Sequence, residues 1–88
     1  MDRVREYVSV NATFREDGMI LPTEILWEDG RVFPIDRVLE IKRAASLKVG
    51  GSGIRYTCRI GRNQTYLFLD DNRWFVEKKV VQRRDPSA

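Results

Sequence analysis

Arg55 and Arg59 stand on either side of Thr57 in the run Ile54-Arg-Tyr-Thr-Cys-Arg-Ile60. On an extended chain, alternate residues share a face, so this spacing sets two guanidinium forks and a hydroxyl side by side. Such forks suit phosphates and carboxylates. Arg62, Arg73, Lys78 and Lys79 extend the basic set onto neighbouring segments. Tyr7 is the one aromatic that alternation places clearly on a polar face, where it can stack a nucleobase. These residues are the candidate contacts for an anion or a nucleic acid. Glu40, Asp70, Asp71 and Glu77 dilute the positive field, so the plainer reading is a solvated strand face of mixed charge.

Other chemistries are weaker or excluded. The chain has no histidine and a single cysteine, Cys58. A His base, a Cys–His pair, an internal disulfide and a Cys/His zinc site are therefore excluded by inventory. Cys58 alternates with apolar residues and reads as a buried, unreactive thiol. The adjacent Asp70 and Asp71, followed by Asn72, are ordinary turn formers rather than a metal site. Lys48, Gly50, Gly51, Ser52 and Gly53 suggest a phosphate loop, but no Lys-Ser/Thr pair follows the glycines. The next run is strand by alternation, whereas a phosphate loop opens a helix. These glycines read as a connection between strands. No nucleophile–base constellation can be written, so the expectation is a non-enzyme with no cofactor.

The elements that must carry these residues read as strands. Val4, Val8, Val10, Ala12 and Phe14 share one face of the first run, interrupted by Glu6, while Arg5 to Arg15 alternate on the other. Asp17-Gly18 and Asp29-Gly30 are hairpin signals, because glycine accepts the positive φ of a tight turn. They join Met19–Trp27 and Arg31–Ile35 into a meander. Pro22 lacks an amide donor, so its strand is an edge or is broken there. The segment 36–47 satisfies two patterns. Its composition and the spacing of Val38, Ile41 and Ala45 suit a helix capped by Asp36. The alternation of Leu39 and Ile41 with Glu40 and Lys42 favours a strand over Arg37–Arg43. Ile54–Ile60, Thr65–Leu69 and Trp74–Val81 complete the set. Trp27 and Trp74 sit at strand ends and read as core or rim packing, and Tyr56, Tyr66, Phe33, Phe68 and Phe75 as core.

Eighty-eight residues, 42% of them hydrophobic, bound the chain to one domain with one modest core. The expectation is a single small β domain over residues 1–82, with a frayed tail at 83–88. Five to six short strands joined by tight turns predict an all-β antiparallel meander or small barrel, SH3-like or related, with a possible short helix within 36–47. The net charge of +3, with twelve arginines against four lysines, selects no partner by itself. No run reaches signal-peptide or membrane-spanning length, so a soluble, cytoplasmic protein is expected.

The stretch ILWEDGRVFPIDRVLEIKRAASLKVGGSGIRYTCRI, with the later TYLFLDDNRWFVE, resembles a group of small bacterial proteins. They share a Trp-x-Asp-Gly-Arg turn, an Ile-Asp-Arg-Val-Leu segment and a terminal Arg-Trp-Phe-Val-Glu strand. The resemblance spans Leu26 to Glu77 and implies a compact β-rich domain without an established activity. Two function classes then remain. The first is a protein-binding module, for itself or a partner, that adds a strand at the Pro22 strand or at Val76–Val81. The alternative is a nucleic-acid-binding small barrel using Arg55, Arg59, Arg62, Arg73, Lys78 and Tyr7.

Overall fold

The computed structural model describes residues 3–45 and 52–79. They form seven antiparallel strands: β1 Arg3–Phe14, β2 Ile20–Leu26, β3 Val32–Pro34, β4 Arg37–Ala45, β5 Ser52–Ile60, β6 Asn63–Asp70 and β7 Arg73–Lys79. Their order across the sheet is β3-β2-β1-β7-β6-β5-β4. The count exceeds the expected five to six, because the segment read as either helix or strand within 36–47 forms a full strand, β4. No helix occurs among the described residues. The tail expected at 83–88 lies outside them, as do residues 46–51 of the glycine connection. Ala45 and Ser52 flank that connection as register partners.

β1 explains the curl. Its first half, Arg3–Val8, pairs with β7, and its second half, Ser9–Phe14, pairs with β2. One long strand thus serves two ladders. β3 and β4 lie at opposite ends of the sheet, yet only Ile35 and Asp36 separate them in the chain. The Ile35 amide donates to the Thr23 carbonyl at 2.9 Å, and the Asp36 amide to the Arg59 carbonyl at 2.8 Å. This short link therefore ties β2 to β5 and holds the sheet as a curled half-barrel.

Two bulges account for the patterns that alternation could not phase. In β4, Val38 pairs with Cys58 and Glu40 with Thr57, leaving Leu39 extra and 41% exposed. Val38 and Ile41, three apart, consequently both pack on the core. A bulge had produced the spacing of a helix turn. In β2, Asn11 pairs with Glu24 and Ala12 with Pro22, so Thr23 is extra. Its hydroxyl donates to the Asn11 carbonyl at 3.0 Å. Pro22 sits where β2 has β1 alone as neighbour, since the β3 ladder covers only Glu24–Leu26. The missing amide costs nothing there.

The two Asp-Gly turns are built alike. Gly18 and Gly30 have φ of 91° and 93°. Their amides donate to the Arg15 and Trp27 carbonyls at 2.9 Å, and an aspartate oxygen, of Asp17 or Asp29, accepts the following amide. That bond from the Arg31 amide, with the Arg31 side chain beside it, holds the Asp29 carboxyl below its usual range. The β6–β7 turn manages without glycine, placing Asp71 and Asn72 at φ of 54° and 63°. Asp and Asn tolerate that region best among side-chain-bearing residues.

The concave face holds Ile25, Tyr56, Cys58 and Leu67, ringed by Val8, Trp27, Ile41, Ile60, Trp74 and Val76. The Tyr56 hydroxyl crosses the fold to donate to the Ile20 carbonyl of β2, which secures the curl from inside. Burial pushes the Tyr56 phenol up, with Cys58 adding to it, and pushes the Cys58 thiol up to about 11. β1 overruns this core. Phe14, expected on the apolar face, is 75% exposed at its far end.

Candidate functional site

The opposite, convex face carries a second apolar assembly. Register aligns Tyr7, Phe75, Phe68, Arg55 and Lys42 in one row across β1, β7, β6, β5 and β4. Phe68 and Phe75 stack nearly parallel, 5.1 Å apart at 8°. Tyr7 meets Phe75 edge-on at 5.6 Å, and Tyr66 meets Phe68 at 6.5 Å. The result is a run of four rings, Tyr7–Phe75–Phe68–Tyr66. Its middle is buried, with Phe68 at 5% and Phe75 at 1% exposure, and its ends are open, with Tyr7 at 45% and Tyr66 at 43%. Removing a phenylalanine-sized ring from water contributes about 1.5–3 kcal/mol, so the buried pair forms a second small core that fixes the exposed tyrosines.

Arginines lie over this run. Arg73 stands 3.7 Å above the Tyr7 ring, Arg5 4.5 Å above Phe75, and Arg55 4.7 Å above Tyr66. Each contact contributes about 0.5–1 kcal/mol at an exposed site, enough to hold a long side chain in place.

Two rows set like charges opposite one another. Lys42 faces Arg55, and Arg37 faces Arg59. Such cross-strand pairs are destabilising. The first is relieved by Glu40, whose carboxylate lies 3.7 Å from Arg55 and 3.8 Å from Lys42. Arg37 and Arg59 are both exposed, and neither has an ion-pair partner among the described residues. Between the rows, Thr57 is 5% exposed and its Oγ1 has no hydrogen-bond partner, and the Nε of Arg55 is buried without an acceptor. A buried unpaired polar atom costs about 1–3 kcal/mol.

Of the residues singled out by sequence, the fold gathers Tyr7, Arg55, Arg59 and Arg73 on this face. Arg62 stands at its margin in the β5–β6 turn, where the carboxylate of Asp36 accepts the Gly61 amide at 2.7 Å. Lys78 lies on the other face. It pairs with Glu6 at 3.2 Å and lines a cavity of about 350 Å³ with Ile25, Trp27, Phe33, Ile60 and Val76. Sequence reasoning missed Arg5, and it assigned Tyr66, Phe68 and Phe75 to the one core it expected. Tyr66 and Phe68 lie on a strand apolar on both faces, and alternation alone does not say which residues of such a strand stay open.

The edges expected to recruit a partner are placed as follows. β2 has no β3 ladder over Ile20–Thr23, although the Thr23 carbonyl is taken by the Ile35 amide. β7 pairs with β1 along its length but with β6 only over Arg73–Phe75, and residues 80 and 81 lie outside the described set. The sequence did not single out the edge of β4, whose one ladder partner among the described residues is β5. No helix among the described residues is long and apolar enough to cross a membrane. No protein-family model matches the chain, and no curated protein or solved structure matches it.

Proposed function

We propose that the protein is a non-enzymatic binding module for single-stranded nucleic acid, with the convex face as its contact surface. One observation carries the reading: the four-ring run ends in two exposed tyrosines, each beneath an arginine. Proteins that hold single strands combine aromatic platforms with cations tracking the backbone, and this face has both in one row. Arg59 and Arg37 continue the positive path beyond Thr57. The curled sheet is, in this reading, an open variant of the small SH3-like barrels. Anisotropy of labelled thymidine and uridine oligonucleotides at low salt tests it. Binding that weakens at least tenfold when Arg55→Ala and Arg59→Ala are combined supports the proposal, and absence of binding at low salt refutes it, because electrostatic attraction is strongest there.

Strand addition to a protein partner is the second reading, favoured by the single-sided ladder of β4 and by β7 beyond Phe75. It ranks lower because β4 is defended. The Leu39 bulge and the charges of Arg37, Glu40, Lys42 and Arg43 are devices that discourage edge pairing. A concentration-dependent dimer with little response to salt would favour it.

A further inference from the structure

The two unpartnered polar atoms of the convex face lie on adjacent same-face positions of β5. Thr57 Oγ1 and Arg55 Nε are both buried, and both lack a partner. A native fold that leaves a hydroxyl and a guanidinium N–H unpaired side by side is short of one acceptor. The surroundings specify its charge. Lys42 faces Arg55, Arg59 is next on the strand, and Arg37 faces Arg59, so an anion placed here converts cross-strand repulsion into attraction. Among the described residues, Glu40, in register with Thr57, is the one carboxylate paired with Arg55 and Lys42. At 3.7 and 3.8 Å from Arg55 and Lys42 its carboxylate is beyond hydrogen-bond distance, and it is half exposed.

We propose that Arg55 and Thr57 form a phosphate subsite of the convex face and that Glu40 is its built-in competitor. This rests on the nucleic-acid reading and names the group that reading must hold. In the free protein Arg55 lies over Tyr66 and Thr57 is covered. When a backbone phosphate replaces the Glu40 carboxylate, Arg55 turns off the ring and donates through Nε, and the Thr57 hydroxyl donates to the same phosphate. That movement also uncovers Tyr66 for a base. Backbone capture and stacking are thus coupled through one side chain, and the ligand must outcompete an internal carboxylate.

The test uses the wild-type chain with Glu40→Gln, Thr57→Val and Thr57→Ser. A labelled thymidine oligonucleotide is followed by anisotropy, and inorganic phosphate by the Arg55 Nε–H signal in ¹⁵N NMR. Glu40→Gln is expected to tighten oligonucleotide binding about 2- to 5-fold, the worth of one exposed charge pair. Thr57→Val is expected to weaken it about 10-fold with unchanged or higher Tm, because it also removes an unpaired buried hydroxyl, and Thr57→Ser to bind like wild type. Unchanged affinity in both Glu40→Gln and Thr57→Val, with no phosphate-induced shift at Arg55, overturns the subsite while leaving the nucleic-acid reading standing. A phosphate-induced shift at Arg55 in a protein that binds no oligonucleotide upholds the subsite and removes that reading. If neither probe binds, both are removed.

Discussion

The salt dependence of binding can be worked from the convex face. Arg5, Arg55, Arg59 and Arg73 lie on it, three of them held over rings and one without an ion pair among the described residues. If each meets one phosphate of a single strand, the slope of log K against log salt is about 4 × −0.7, or roughly −2.8. Raising salt from about 50 to about 200 mM then lowers affinity by about 50-fold. Arg55→Ala and Arg73→Ala should each flatten the slope by about 0.7, apart from any loss of affinity. Lys78→Ala is the internal control, because Lys78 pairs with Glu6 on the opposite face and should leave the slope unchanged. Anisotropy titrations of a short labelled thymidine oligonucleotide at four salt concentrations supply the numbers. A slope shallower than about −1 refutes the reasoning, since that is little more than one phosphate. So does a Lys78→Ala slope that flattens as much as that of Arg55→Ala.

Three further predictions concern the frame that holds this face. Tyr56→Phe leaves the Ile20 carbonyl without its cross-fold donor and should cost about 1–2 kcal/mol in urea denaturation, lowering Tm by several degrees. Gly30→Ala should cost about 1 kcal/mol from φ alone, because a Cβ there meets nothing within 4 Å; an unchanged midpoint would show that the turn relaxes. Cys58, with its thiol raised to about 11 from an ordinary value near 9, should resist alkylation until the protein unfolds. Because the folded state favours the protonated thiol, this stability is complete below about pH 9 and fades as pH rises through about 11, by on the order of 3 kcal/mol at most. Cys58→Ala should shrink that alkaline decline, leaving the share of Tyr56, whose phenol is also raised.

The all-β class and the hairpins were legible because period-two alternation and Asp-Gly turns are local. Arg55, Thr57 and Arg59 could be grouped for the same reason. What failed needed non-local register. Val38 and Ile41 mimicked a helix because a bulge at Leu39 moved the phase by one residue. Lys78 was grouped with Arg55 on charge, yet β7 presents it on the core side with Glu6. Tyr66, Phe68 and Phe75 were assigned to a single core because an apolar residue carries no mark of which face it serves. Only the pairing of β1, β7 and β6 shows that two of the four rings, Tyr7 and Phe75, come from strands that do not neighbour β5.

The most direct test of the convex face is a ¹⁵N–¹H NMR titration of the protein with a short thymidine oligonucleotide at low salt. The account predicts shifts confined to Arg5, Tyr7, Arg55, Thr57, Arg59, Tyr66 and Arg73, with the Lys78 and Val76 side quiet. Shifts gathered along the β4 edge, or around the cavity beside Lys78, would contradict it.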